Sequence, residues 1–185
     1  MGKKVLIVSS SLRANSNSEL LARECARGAA DAGCEVEFVS LKDKDIRFCK
    51  GCLACQKTFK CVIADDAAAI VQKVKDADAL VFATPIYYYE LSGQLKTLLD
   101  RCNPLFPQEY RFRDVYLLST SAEDGDEVYA TAANGLKGWI ACFPNARFGG
   151  VYSGGGAGNE RIENDQRYAA MLQGAYEFGS EIAQK

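Results

Sequence analysis

Histidine is absent from the 185 residues of this sequence. The absence excludes every mechanism that needs an imidazole base, such as Ser-His or Cys-His catalysis, and every metal site with a histidine ligand. An excess of charge of either sign is also lacking, because 22 basic residues are set against 24 acidic ones for a net charge of −2. The composition therefore indicates neither a nucleic-acid-binding surface nor a strongly acidic docking face.

Long apolar runs are missing as well. No stretch approaches the ~18 consecutive apolar residues of a membrane span, so we expect no membrane association. The apolar run at residues 5–8 follows Lys3 and Lys4 but ends in three serines, so it is too short for a signal peptide and favours a buried first strand. We therefore predict a cytoplasmic protein with one domain over residues 1–185.

Short apolar runs alternate with helical patterns along the whole chain. Strands are predicted at residues 5–9, 36–41, 79–83, 115–119 and 146–152. Helices are predicted near residues 18–32, 66–75, 92–102 and 128–142, and from about 164 to the end. This alternation indicates parallel strands joined by right-handed crossovers, hence an α/β fold with a doubly wound sheet and helices on both faces. A five-stranded sheet of order 2-1-3-4-5 binds its ligand at the carboxyl ends of strands 1 and 3.

The loop after the first predicted strand is rich in hydroxyl and amide side chains. Its candidate ligands, each with a hydroxyl, amide or guanidinium group, are Ser11, Arg13, Ser16, Asn17 and Ser18. Such groups at a helix N-terminus, where backbone N–H groups are unpaired, complete a phosphate site. Ser16 or Asn17 alternatively only caps the helix, but capping alone does not need so many polar groups. The loop contains neither GxGxxG nor GxxxxGKS, so an ordinary dinucleotide or nucleoside-triphosphate loop is not indicated.

The loop after the third predicted strand is typical of a binding surface for a flat ring. Its candidate residues are Thr84, Pro85, Ile86, Tyr87 and Tyr88. Together they provide an apolar and aromatic wall, with backbone groups for the polar edge of a ring. The alternative is that the tyrosines simply pack against the end of the sheet. A phosphate loop one strand away favours ring binding.

Four of the eight cysteines lie in one loop at about residues 43–64. They are Cys49, Cys52, Cys55 and Cys61. A set of four thiolates suits an iron–sulfur cluster or a structural zinc, and the consecutive CxxCxxC spacing favours the cluster. Free thiols and disulfides between neighbours are the alternatives. The remaining cysteines are expected to be small buried apolar residues, and they are Cys25, Cys34, Cys102 and Cys142.

Residues 5–18 resemble the phosphate loop of the flavodoxin-like NAD(P)H-dependent FMN reductases, whose pattern is Gly-Ser-Pro-Arg-x-x-Gly/Ser-Asn-Thr/Ser. Ser10 and Leu12 depart from the usual Gly and Pro of that pattern. Residues 84–101 resemble the family's Ser/Thr-Pro-x-Tyr followed by a Lys-x-x-x-Asp-Arg helix. The resemblance implies a flavodoxin-like three-layer sandwich that binds FMN through both loops. A third loop would also contact the flavin, through Ser119, Thr120 and Ser121.

The same resemblance implies an FMN-dependent oxidoreductase that transfers electrons from NAD(P)H, or from a reduced carrier, to a quinone, a flavin or a similar acceptor. The chemistry takes place on the flavin in such enzymes, so no catalytic side chain is predicted, in agreement with the missing histidine. We expect a homodimer or homotetramer, as is common in the family. Its other partners would be a small-molecule acceptor or a redox carrier protein, with no nucleic acid.

The spacing of the four cysteines resembles that of the iron–sulfur flavoproteins, a branch of the same group that carries a 4Fe-4S cluster beside FMN. It is also similar to many FMN reductases in which a cluster is not assured. Two alternatives to a simple reductase therefore stay open. One is an iron–sulfur flavoprotein that acts as an electron carrier, and the other is a redox or metal sensor that uses the four-cysteine loop.

Overall fold

Six strands and six α-helices lie in the part of the chain that the computed structural model describes, residues 2–158 and 160–185. The strands are β1 (Lys4–Ser9), β2 (Glu35–Ser40), β3 (Ala79–Tyr87), β4 (Glu90–Leu91), β5 (Asp114–Thr120) and β6 (Arg147–Gly154). The helices are α1 (Asn17–Asp31), α2 (Cys55–Thr58), α3 (Ala67–Asp76), α4 (Gly93–Arg101), α5 (Asp126–Ile140) and α6 (Ala169–Gln184). All the predicted strands and helices are present, and the largest shifts are at the end of β3 and the start of α6.

Five of the strands form a parallel sheet of order β2-β1-β3-β5-β6. This order confirms the predicted 2-1-3-4-5, because β5 and β6 are the fourth and fifth of the predicted strands. β4 was not predicted and adds to the end of β3 as a short antiparallel hairpin, with Tyr87 opposite Glu90. The prediction also ended β3 too early, since Thr84 and Pro85 still pair with β5.

Apolar side chains of the strands alternate between the two faces of the sheet. In β1, Leu6 and Val8 belong to the core under α3, α4 and α5, whereas Val5 and Ile7 belong to the core shared with α1 and α6. Because helices cover both faces, the central strands are apolar over most of their length. The result is the predicted three-layer α/β sandwich. Within residues 2–158 and 160–185, no helix combines the length and the apolar character needed to cross a membrane.

Helix α4 begins at the carboxyl edge of the sheet. The hydroxyl of Ser92 caps the helix by accepting from the N–H of Leu95 at 3.4 Å. Ser92 also lies 2.9 Å from the hydroxyl of Ser10, and its N–H donates to the hydroxyl of Thr84 at 3.1 Å. These bonds hold the start of α4 against the loops that follow β1 and β3.

Helices α1 and α6 approach each other closely at two glycines. A Cβ atom at Gly28 would lie 1.9 Å from the carbonyl oxygen of Tyr176, and one at Gly179 would lie 2.0 Å from the carbonyl oxygen of Cys25. The hydroxyl of Ser180 reaches across and donates to the carbonyl of Gly28 at 3.2 Å. The backbones of the two helices are therefore in direct contact. This contact holds α1 in place, and with it the loop between β1 and α1.

Candidate functional site

Three loops meet in a cavity of about 190 Å³ at the carboxyl end of the sheet. One segment follows β1, one is the end of β3, and one follows β5. The cavity therefore lies at the edge of the sheet that the strand order predicts. The lining residues are Ser11, Arg13, Ser16, Asn17, Ser18, Pro85, Ile86, Tyr87, Thr120, Ser121, Ala122 and Gly158. Ten of the thirteen ligands predicted from the sequence are therefore brought together, and Thr84, Tyr88 and Ser119 are not.

Buried hydroxyl groups dominate one end of this cavity. Ser11, Ser16 and Ser18 are each at most 5% exposed, and α1 begins beside them with its unpaired backbone N–H groups. The hydroxyl of Ser16 accepts from the N–H of Glu19 at 3.2 Å, so this residue caps α1 and lines the cavity at the same time. Within the described residues, the hydroxyl of Ser9 is buried without a hydrogen-bond partner, immediately before the loop. This end of the cavity has the donor groups that an anion requires.

Asn17 lines the cavity, but its side-chain amide bonds to a distant loop. The amide nitrogen donates to the carbonyl of Glu160 at 2.7 Å, and the amide oxygen accepts from the N–H of Ile162 at 3.4 Å. Asn17 thereby holds this loop against the start of α1. Gly158, which has φ of +54°, joins the lining nearby. Sequence reasoning did not include Gly158 among the ligands, although a glycine-rich stretch after the last strand was a signal for it.

The other end of the cavity is apolar and is formed by Pro85, Ile86 and Tyr87. Thr84 is buried beneath it, where its hydroxyl donates to the carbonyl of Pro85 at 2.9 Å. Tyr88 is fully exposed, because it is in the two-residue turn between β3 and β4 rather than in the wall. The wall is therefore shorter than the sequence predicts, and Thr84 supports it from behind.

The loop after β5 contributes Thr120, Ser121 and Ala122 to the lining. Ser119 does not line the cavity, and its hydroxyl donates to the hydroxyl of Ser153 in β6 at 3.1 Å. Across the rim, the hydroxyl of Tyr89 donates to the carboxylate of Glu123 at 2.6 Å. This bond raises the pKa of Tyr89 above its ordinary value. It also ties the β3–β4 turn to the loop after β5.

The donor set fits a flavin nucleotide. A flavin phosphate needs N–H and hydroxyl donors at the phosphate and an apolar wall along the ring, and both are present in the lining of one cavity. Arg13 adds a cationic group to the polar end. The cavity is smaller than the roughly 300–1,000 Å³ of typical ligand pockets, so it encloses only part of such a ligand.

The cysteine loop lies apart from this cavity. Cys49 and Cys52 are exposed, Cys61 is half-buried and Cys55 is buried at the start of α2, and all four are free thiols. The side-chain amide of Asn103 donates to the sulfur of Cys55 at 3.3 Å. Burial raises the pKa of the Cys55 thiol above its ordinary value, although the bond from Asn103 opposes the shift.

Four thiolates in one loop have the donor chemistry of an iron–sulfur centre. The described residues do not bring three or more of these thiols, or of other candidate ligands, within metal-binding distance of one another. Gly51, at φ +63°, is where the loop turns between Cys49 and Cys52. A Cβ atom there would meet no atom within 4 Å. The loop therefore has room around this turn, and its donor set fits a cluster.

Outside the loop, the prediction that the other cysteines are buried is correct for Cys25 and Cys102. Burial raises the pKa of each of these thiols to about 12, which keeps them protonated and unreactive. Cys34 is only half-buried, and Cys142 is exposed at the end of α5, so the prediction is wrong for Cys142. The helical pattern places Cys142 within α5, whereas α5 ends at Ile140 and leaves the residue on the surface.

Comparison with known proteins agrees with the geometry. A family model described as NADPH-dependent FMN reductase matches residues 3–183. The chain is similar to an iron–sulfur flavoprotein of Methanocaldococcus jannaschii, with 43% identity over 102 residues that cover 55% of this chain and 53% of that protein. It is also similar to an iron–sulfur flavoprotein of Methanosarcina thermophila, with 28% identity over 155 residues, 80% of this chain and 81% of that protein. The matched part spans about half the length of the first of these relatives.

Solved structures show the same fold at low sequence identity. The NAD(P)H:quinone oxidoreductase from Methanothermobacter marburgensis is 14% identical with a TM-score of 0.73, over 98% of this chain and all of that one. An FMN-dependent NADH-azoreductase from Bacillus anthracis, solved in complex with FMN, is 16% identical with a TM-score of 0.65, over 98% of each chain. At these identities the likeness concerns the fold alone.

Proposed function

The chain belongs to the NADPH-dependent FMN reductase family, and from this premise we propose that it is an oxidoreductase that binds FMN non-covalently in the cavity at the carboxyl end of the sheet. Its electrons would come from NAD(P)H or a reduced carrier and pass to a quinone, a flavin or a similar acceptor. The observation that carries the proposal is the single cavity with a hydroxyl-rich end and an apolar end.

The residues of the cavity divide between phosphate and ring. Ser11, Ser16 and Ser18 donate hydrogen bonds to the phosphate, with the N-terminus of α1 and Arg13 offsetting its charge. Pro85 and Tyr87 lie along the ring, while Thr84 fixes the carbonyl of Pro85 from behind. FMN, when bound, supplies the hydride and electron-transfer chemistry.

Few ionisable groups line the cavity in the part of the chain that the structure describes. Of the described lining residues, only Arg13 and Tyr87 have ionisable side chains. A reductase in which the cofactor carries the reaction needs binding, orientation and exclusion of water from the protein rather than a general base. The absence of histidine is compatible with this division of labour.

We further propose that Cys49, Cys52, Cys55 and Cys61 hold a 4Fe-4S cluster. The four-thiolate donor set, its spacing and the iron–sulfur flavoproteins among the relatives support the assignment. Because Cys49 and Cys52 are exposed, a cluster in this loop would be open to a redox partner at the surface. This exposure favours electron exchange with a carrier protein as a second function.

A homo-oligomer is also proposed. Large apolar side chains are exposed on the cysteine loop and near the cavity, and they include Leu12, Phe48, Leu53, Phe59, Val62 and Tyr88. Apolar surface of this kind is typical of protein–protein contacts. Sedimentation of the FMN-loaded protein is expected to give a dimer or a tetramer, and a monomer at all concentrations would contradict the proposal.

Anaerobic purification tests the flavin and cluster assignments together. We expect the two absorption bands of oxidised flavin and about four iron atoms per chain, with sulfide to match. Cys55→Ser should lose the iron and keep FMN, whereas Cys34→Ser, a half-buried cysteine outside the loop, should keep both. Protein that shows no flavin spectrum after incubation with FMN would contradict the central proposal.

Steady-state oxidation of NADH and NADPH with quinone, flavin and carrier acceptors then separates enzyme from carrier. Turnover with a small acceptor is expected for the reductase. Absence of turnover with every small acceptor, together with rapid electron exchange with a reduced carrier protein, would favour the second function.

A further inference from the structure

Arg101, the last residue of α4, is the most deeply buried cation among the described residues. Its side chain is fully buried, and so is the carboxylate of Asp65 with which it pairs. The two nitrogens Nη1 and Nη2 donate to the two carboxylate oxygens at 2.5 and 2.9 Å. Such a two-pronged pair is the arrangement for which arginine, and not lysine, is suited.

The remaining bonds of Arg101 reach both ends of the cysteine loop. Nη1 donates to the carbonyl of Arg47 at 2.7 Å, two residues before Cys49. Nη2 donates to the carbonyl of Ile63 at 3.3 Å, two residues after Cys61. One guanidinium therefore closes the loop between residues 47 and 65.

Asp65 strengthens the same closure. Its carboxylate accepts from the backbone N–H of Arg47 at 2.9 Å and from the N–H of Ala67, at the start of α3, at 3.1 Å. Burial alone would raise the pKa of Asp65, but the bonds from Arg101, Arg47 and Ala67 outweigh it and lower the pKa. The carboxylate is thus charged and fully engaged.

One donor of Arg101 remains unused. Within the described residues, Nε is buried without a hydrogen-bond partner. The side chain of Cys61 lies beside the same guanidinium. A buried, unpaired N–H is costly unless a further acceptor is present, and the sulfur atoms of a cluster held in this loop are such acceptors.

We propose that Arg101 is a positioning residue for the cluster of the cysteine loop. It holds the loop closed at both ends and offers Nε–H to the sulfur atoms around Cys61. The inference rests on the proposed cluster site. Reduction potentials of iron–sulfur clusters depend on hydrogen bonds to sulfur, on net charge and on solvent exposure. Arg101 would act on the first of these through Nε–H, and its removal should lower the potential and speed the loss of iron.

The test compares two variants of the anaerobically prepared holoprotein. Arg101→Gln combined with Asp65→Asn removes both charges of the pair, so that no unpaired charge is left buried. Iron release to a chelator should become about tenfold faster or more, and the midpoint potential of the remaining clusters should fall, as followed by electron paramagnetic resonance. Arg101→Lys keeps the charge of the pair but lacks Nε–H and the two-pronged geometry, so it should also lower the potential and speed iron release, though less than the double variant does.

A matched control is Arg111→Gln combined with Asp78→Asn, which removes an ion pair of 2.7 Å outside the cysteine loop. It should leave iron release and potential unchanged. Trypsin provides a readout without metal, because Lys50, Lys57 and Lys60 are exposed in the loop. In iron-free protein, trypsin should cleave at these lysines about tenfold faster or more in the Arg101→Gln/Asp65→Asn variant than in the wild type, because the variant has lost the closure of the loop.

The outcomes separate this inference from the cluster assignment. Wild-type protein that binds FMN and takes up no iron on anaerobic reconstitution would overturn both. Wild-type protein that holds iron, together with an Arg101→Gln/Asp65→Asn variant of wild-type iron release and wild-type potential, would overturn the inference alone. FMN content should be equal in all variants, which shows that the sheet and its cavity are intact.

Discussion

Aspartate in place of Ser18 is expected to weaken FMN binding at least ~100-fold compared with asparagine at the same position, a difference of about 2.7 kcal/mol. Ser18 is the second residue of α1, it is 1% exposed, and it lines the hydroxyl-rich end of the cavity. A carboxylate there would face the phosphate, and two unit charges about 4 Å apart near a protein surface repel by about 4 kcal/mol. The helix N-terminus itself favours an acidic residue, so the Ser18→Asp chain should still fold.

Riboflavin, which lacks the phosphate, is the control ligand for this comparison. Ser18→Asp and Ser18→Asn have side chains of nearly equal size, so any steric effect on the ring should be the same in both. Titration of flavin fluorescence should show the large difference for FMN and almost none for riboflavin. If riboflavin discriminates between the two variants as strongly as FMN does, the phosphate is not bound at this end of the cavity.

Much of the site could be predicted from the sequence because its position follows from topology. Apolar runs that alternate with helical patterns require parallel strands, and the carboxyl ends of parallel strands share one edge of the sheet. The loop after β1 and the end of β3 are therefore neighbours, although Ser18 and Pro85 are far apart in the chain. No packing detail is needed for that conclusion.

The turn after Tyr87 shows where this reasoning ends. Tyr88 and Tyr89 have φ of +51° and +64°, values that favour glycine or asparagine in a two-residue hairpin turn. Two tyrosines carry no local signal for such a turn, and the bond from the hydroxyl of Tyr89 to the carboxylate of Glu123 holds it from outside the hairpin. Tertiary contacts thus fix a turn in which Tyr88 points to solvent, whereas the sequence pattern places Tyr88 in the apolar wall of the cavity.

Asn17 shows a second limit. Its position in the loop predicts a phosphate ligand, but its amide bonds to Glu160 and Ile162, more than 140 residues away in the chain. A side-chain amide serves equally well as a ligand and as a brace between loops, and spacing cannot separate the two roles. Arg101 is a similar case, because its bonds to Arg47 and Ile63 depend on how the cysteine loop folds back.

Helix α4 relates the two proposed redox sites to each other. Its first end is held by Ser10 and Thr84 at the cavity, and its last residue, Arg101, closes the cysteine loop. Its nine residues rise by about 1.5 Å each, so the helix is roughly 14 Å long. No residue of α4 lines the cavity, but the helix is tied at one end to the loops beside the cavity and at the other to the cysteine loop, so it would keep the two proposed sites at a fixed separation.

Gly28→Ala is expected to lower the free energy of unfolding by about 3 kcal/mol, which makes it the largest stability effect that we predict. The new Cβ atom would lie 1.9 Å from the carbonyl oxygen of Tyr176. That oxygen is backbone, so it cannot rotate away as a side chain could, and α1 and α6 must separate. Separation would also loosen the matching contact at Gly179 and the bond from Ser180. Urea unfolding of FMN-free protein, followed by circular dichroism, measures the loss without a contribution from ligand binding.

Gly138→Ala is the matched control for this prediction. Gly138 is an exposed residue within α5, and a Cβ atom there would meet no atom within 4 Å. Alanine is the better helix former by roughly 0.8–1.0 kcal/mol, so this variant should be as stable as the wild type or slightly more stable. The same substitution in two helices is thus expected to have opposite signs, because only one of the glycines lies against the backbone of another helix. Equal effects at the two positions would mean that helix propensity, and not the contact of α1 with α6, determines the outcome.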